Sequence, residues 1–164
     1  MFLAIPPAHA NRRACYNRPM IGVFDSGYGG LTVLKELLKC LPQYSYLYLG
    51  DTARNPYGPR SNEAILEYSR EAVDFLFSQG VRLILVACNT VSSVALRQLQ
   101  EEYVRRPGMK DKNILGVVFP LVEKAAAVSK SGRIGVVGTR ATVASGAYER
   151  ELKKLRPRAT IVPQ

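Results

Sequence analysis

Cys88 closes the apolar run 83–87 and is followed at once by Asn89 and Thr90. A thiol at the carboxyl end of a strand and ahead of a helix meets backbone N–H groups and the positive end of the helix dipole. A buried cysteine is more often only a small apolar side chain. Here the company it keeps decides. The apolar run 21–24 is followed by Asp25-Ser26-Gly27-Tyr28-Gly29-Gly30, a carboxylate and a hydroxyl beside three glycines that permit close backbone approach. The spacing is not a dinucleotide fingerprint, and the Lys-Ser/Thr ending of a P-loop is absent.

Two further loops carry polar groups. Gly50-Asp51-Thr52-Ala53-Arg54-Asn55-Pro56-Tyr57-Gly58-Pro59 follows a second apolar run. Pro56 restricts the approach to Tyr57, the Tyr57 hydroxyl and the Gly58 N–H offer themselves to a carboxylate, and Asp51 is suited to brace the loop. Gly138-Thr139-Arg140-Ala141-Thr142 places two hydroxyls where a helix begins, a second carboxylate cradle. Taken singly, each loop reads equally as a turn with capping residues. Taken together, a thiol, a carboxylate and carboxylate binders with no metal cluster suit direct proton transfer at a carbon acid. A Cys–His hydrolase fits less well, because no histidine follows Cys88. The lone His9 and three scattered cysteines leave no metal site, and Cys15 and Cys40 read as incidental.

These loops must be held by alternating elements. Strands are expected at 21–24, 46–49, 83–87, 114–118, 133–137 and 159–162, from short apolar runs bounded by turn residues. Helices are expected at 31–41, 61–77 with Ser61 as N-cap, 90–103, 121–129 and 141–155, from apolar positions at helical spacing. The alternation demands parallel strands joined by right-handed crossovers. The expected class is α/β: a parallel-sheet, Rossmann-like or flavodoxin-like domain plus the first part of a second, similar α/β domain. Pro6-Pro7 and Pro19 make 1–19 an irregular arm, with Met20 a candidate natural start; 20–113 forms the first domain. The polar stretch 105–113 is the boundary, and 114–164 is an incomplete second domain, cut before a covering helix.

Composition agrees with a folded chain: 47% hydrophobic and 22% charged over 164 residues. No apolar run reaches the length of a membrane span. The net charge of +10 lies at the two ends, with three arginines and no acid in 1–19 and nine basic against three acidic residues in 121–164. The aromatic and arginine spacing of a nucleic-acid module is absent, so neither nucleic acid nor membrane is an expected partner. The apolar stretch 2–5 is too short for a signal-peptide core, and Arg12 and Arg13 follow it rather than precede it, so the cytoplasm is the expected compartment.

The motifs Ile21-Gly22-Val23-Phe24-Asp25-Ser26-Gly27-Tyr28-Gly29-Gly30, Gly50-Asp51-Thr52-Ala53-Arg54, Pro56-Tyr57-Gly58-Pro59, Ala87-Cys88-Asn89-Thr90 and Gly138-Thr139 with Ala141-Thr142 stand in the order found in glutamate racemases, which this chain resembles from residue 21 onward. The resemblance implies two pseudo-symmetric α/β domains with glutamate between them, no cofactor, no metal, and two cysteines on opposite faces of Cα. It implies Cys88 as the base for one enantiomer, with Asp25 assisting. Ser26, Pro56, Tyr57, Gly58, Asn89, Thr90, Thr139 and Thr142 would bind the substrate. It implies D-glutamate supply for peptidoglycan, and a homodimer is a family expectation. The second catalytic cysteine, with its Thr and His, is missing, so the chain is expected to be truncated before it. An aspartate racemase and an inactive carboxylate-binding fragment are the alternatives.

Overall fold

A computed structural model describes residues 1–7, 19–105 and 111–164. His9, Cys15 and most of the expected boundary stretch lie outside the described residues. The element order is β1 (Phe2–Ile5), β2 (Met20–Asp25), α1 (Gly30–Cys40), β3 (Ser45–Gly50), α2 (Asn62–Ser78), β4 (Leu83–Val86), α3 (Asn89–Val94), α4 (Leu96–Tyr103), β5 (Asn113–Gly116), α5 (Val118–Val128), β6 (Arg133–Val136), α6 (Arg140–Ala144), α7 (Ala147–Leu155) and β7 (Thr160–Pro163).

Five strands form one sheet in the order β1-β3-β2-β4-β5, and β6 and β7 form a second, two-stranded parallel sheet. Strands β3, β2, β4 and β5 are mutually parallel, and β1 runs antiparallel to β3. The strand after β2 lies on one side of it and the next, β4, on the other. That reversal opens a crevice at the carboxyl ends of β2 and β4, the place where doubly wound sheets bind ligands.

Side chains of the central strands alternate between two apolar layers, because successive residues of a strand point to opposite faces. Ile21, Val23, Tyr46 and Tyr48 pack with Leu34 of α1 on one face. Phe24, Leu47, Ile84 and Val86 pack with Ile65, Val73 and Leu76 of α2 and Leu99 of α4 on the other. A separate core under the small sheet joins Val118 and Val122 of α5 to Leu152 of α7.

The architecture is the expected α/β fold with flanking helices, and five details differ. Residues 2–5, expected to be irregular, form β1: this proline-free apolar stretch pairs with the otherwise open edge of β3, and Pro6-Pro7 ends it. The strand beginning near residue 114, expected to open the second unit, pairs with β4 in the first sheet. The helix expected at 90–103 divides at Ala95. Ser92 and Ser93 and the β-branched Thr90, Val91 and Val94 favour helix weakly, and the Ser92 hydroxyl donates to the Val86 carbonyl at 2.9 Å. The helix expected at 141–155 divides at Gly146, whose φ of +62° is left-handed. Helix α5 starts earlier than expected because Pro120 falls in its first turn, where proline is tolerated. Ser61 caps α2 as expected, its hydroxyl accepting from the Ala64 N–H.

Candidate active site

Asp25 ends β2, and the Ala87 N–H donates to the Phe24 carbonyl at 2.8 Å, drawing the end of β4 against the end of β2. Ser26 and Cys88 are thereby neighbours, with Oγ and Sγ 3.1 Å apart. Cys88 is the N-cap of α3 in extended conformation, and its sulfur accepts from the Val91 N–H at 3.5 Å. The thiol is 5% exposed.

Asp25 is equally buried, and its Oδ2 accepts from the Gly30 N–H at 2.9 Å. A Cβ on Gly30 would lie 2.7 Å from the Asp25 Cβ, so only glycine lets α1 begin this close. The Tyr48 hydroxyl donates to the Gly27 carbonyl at 3.0 Å and stands 3.5 Å from Asp25 Oδ2. Burial, then the Asp25 charge, pushes the Tyr48 phenol well above its ordinary range and keeps it a donor. The residue bonded to the thiol is therefore Ser26. Among the described residues no hydrogen bond joins Asp25 to Cys88.

The loop after β3 is braced internally. Tyr57 is fully buried, and its hydroxyl donates to Asp51 Oδ2 at 2.6 Å. The same oxygen accepts from Arg54 Nε at 2.6 Å; Arg54 also pairs with Glu71 at 2.7 Å and lies over the Tyr68 ring. Sequence reasoning offered the Tyr57 hydroxyl to a ligand; in the structure it is committed to Asp51, with Asp51 bracing the loop through side chains. Pro56 is exposed and follows a cis peptide bond. Gly58 accepts from the Ala141 N–H at 3.2 Å, and the Thr139 side chain occupies the space where its Cβ would stand.

Three threonine hydroxyls converge from both sheets. Thr90 lies 3.1 Å from Thr139, Thr139 3.0 Å from Thr142, and Thr142 3.3 Å from Thr90. Thr139 is the N-cap of α6, accepting from the Thr142 N–H. These hydroxyls and Asn89 border a cleft of about 430 Å³ floored by Val122, Ile134 and Leu152. The structure thus brings together Asn89, Thr90, Thr139 and Thr142 at the cleft, and Ser26, Cys88 and Asp25 at the crevice behind it. The consecutive residues 88–90 join the two groups.

Two tyrosines escaped sequence reasoning. Tyr48 sits two residues before Gly50, on the face of β3 directed at the Asp25 loop. Tyr148 lies beyond the helix break and donates to Asn89 Oδ1 at 2.5 Å. Only an alternation count carried along β3 would have pointed to Tyr48, and nothing local marks Tyr148. Among the described residues no group of three or more His, Cys, Asp or Glu could hold a metal ion, and no helix is long and apolar enough to cross a membrane.

Comparison with known proteins adds independent findings. The sequence profile described as Asp/Glu/Hydantoin racemase matches residues 21–161. The glutamate racemase of Geobacter metallireducens is 46% identical over 142 residues, which cover 87% of this chain and 50% of that protein. The solved glutamate racemase of Aquifex pyrophilus superposes with a TM-score of 0.80 at 45% identity, covering 88% of this chain and 54% of the other. That of Francisella tularensis, solved in complex with D-glutamate, superposes with a TM-score of 0.78 at 37% identity, covering 90% and 52%. The chain spans about half the length of these relatives.

Proposed function

The chain belongs to the Asp/Glu/hydantoin racemase family, and we propose that its site serves the cofactor-independent interconversion of L- and D-glutamate. The observation that carries this is the Cys88 sulfur at the sheet's crevice, hydrogen-bonded to Ser26 and adjoining a cluster of hydroxyls from the second sheet. Glutamate over aspartate is supported by the names of the relatives. Supply of D-glutamate to peptidoglycan, a cytoplasmic site of action and a homodimer belong to the same proposal.

In this reading the substrate carboxylates sit among the Asn89 amide, the Thr90, Thr139 and Thr142 hydroxyls and the Gly58 backbone. The ammonium approaches Asp25 and Ser26. The Cys88 thiolate takes the Cα proton, and hydrogen-bond donors already aimed at the carboxylate stabilise the charge that moves onto it. Inversion then needs a second acid on the opposite face. Cys40, the other described cysteine, ends α1 in an exposed position, so one thiol serves the site among the described residues.

One thiol favours a second reading for the chain by itself: carboxylate binding with proton exchange on one face only. Proton NMR of glutamate in heavy water, with chiral chromatography, separates the readings. The expected result for this chain is Cα deuteration without inversion, abolished by Cys88→Ser. Sustained inversion dependent on Cys88 would favour a complete racemase, with the second acid coming from another subunit or from water. Absence of both exchange and glutamate binding would sink the proposal, and faster exchange of aspartate would move the substrate.

A further inference from the structure

Asn89, an exposed polar residue bordering the cleft, has an acceptor and two donors on one side chain, and a carboxylate can use only the donors. Which way the amide faces therefore decides whether it attracts or repels such a ligand. The contact between Tyr148 and Asn89 measures 2.5 Å. That separation belongs to O–H···O hydrogen bonds and is shorter than N–H···O bonds run, so the amide oxygen faces the phenol. Burial pushes the Tyr148 phenol above its ordinary range, which keeps it protonated and a donor at neutral pH. Among the described residues no acceptor takes the Asn89 Nδ2 protons.

The phenol is itself held in place. Helix α7 begins after the left-handed Gly146, its Ala147 is buried, and Leu152, one turn beyond Tyr148, is 1% exposed in the core of the small sheet. Tyr148 borders the same cleft as Asn89, Thr90 and Thr142. We propose that Tyr148 is a positioning residue: its hydroxyl pins the Asn89 amide oxygen and turns the two Nδ2 protons into the cleft toward a substrate carboxylate. The proposal rests on the carboxylate-binding reading above and adds the residue that orients it. It also makes the donor set depend on the second sheet, since Asn89 belongs to the first unit and Tyr148 to α7.

The test uses the whole chain labelled with ¹⁵N-asparagine, the Asn89 signal being identified by its loss in Asn89→Ala. In the unaltered protein the Asn89 side-chain amide protons should give a well-separated pair with a nuclear Overhauser effect to the Tyr148 ring. In Tyr148→Phe, which removes one oxygen, the pair should collapse toward the positions of a freely turning side chain. The remaining backbone spectrum should persist, and D- and L-glutamate should bind roughly 3- to 10-fold more weakly, the loss of about one hydrogen bond. An Asn89 pair unchanged in the Phe variant, or no Overhauser effect to Tyr148 in the unaltered protein, overturns the proposal. If glutamate shifts no signal in the unaltered protein, the carboxylate reading fails, while the free-protein amide pair still decides the role of Tyr148.

Discussion

At the scale of single residues, the tyrosine hydroxyls near the site mostly face inward. Tyr57 donates to a carboxylate that also neutralises Arg54, so Tyr57→Phe leaves Asp51 short of one partner in a partly buried position. A hydrogen bond to a charged group contributes about 1.5–3 kcal/mol, and urea denaturation should show a loss of about that size. The pH dependence follows from the same groups. Burial raises Tyr48 and Tyr57 far above the ordinary phenol range, and Tyr103 is pushed up to about 12 by burial and by its hydrogen bond to Asp74. In the unfolded chain these phenols ionise near pH 10. Below that pH both states keep the proton and the tyrosines impose no slope. Above it the unfolded state loses protons that the folded state retains, so stability falls as pH rises from about 10 through the folded values. Denaturation midpoints between pH 8 and 11.5, with absorbance at 295 nm following phenolate, should show a flat tyrosine contribution and then a decline. Stability that rose through that window would refute the assignment.

At the scale of elements, the contact between the loop after β3 and helix α6 is a backbone fit. A methyl group on Gly58 would lie 2.6 Å from the Thr139 Cβ. Gly58→Ala should therefore destabilise by about 1–3 kcal/mol, as overpacking does, and should reduce glutamate affinity, because Thr139 would be driven out of the hydroxyl cluster. Calorimetric unfolding and a glutamate titration of the same sample check both parts. The small core offers a contrasting case. Leu152 is one of its three buried members among the described residues, and Leu152→Ala should cost about 2–5 kcal/mol, read as a lower melting temperature. Most elements were legible because each apolar run has a length and period of its own: 21–24 and 83–87 are too short and too continuous for helices, and 61–77 carries both a cap and a helical stripe. Residues 2–5 were not legible, since what makes them a strand is the vacant edge of β3. The breaks at Ala95 and Gly146 were missed for a related reason. A helical stripe continues across a break when both pieces bury the same side.

At the scale of the molecule, two cores of unequal size share one chain. The first sheet is packed on both faces, whereas the second has, among the described residues, two strands and a core of three buried side chains. Native-state hydrogen exchange should find β6, β7 and α7 opening at lower free energy than β2 and β4, since local stability follows buried apolar contact. Equal protection of the two sheets would count against this. Convergence of the Asp25, Cys88 and Thr139 loops at the carboxyl edges of strands was already determined by the sequence, because each follows an apolar run and alternating parallel units send all such loops to one side. The sequence also determined the α/β class and the motif order that marks the family. Only the tertiary structure decided the partners: that Ser26 and not Asp25 meets the thiol, that Tyr57 turns to Asp51, that Tyr148 reaches Asn89, and that β5 belongs to the first sheet. Those outcomes hang on separations of a few ångströms between residues tens of positions apart, and a hydrogen bond is decided by such separations while hydrophobic period is not.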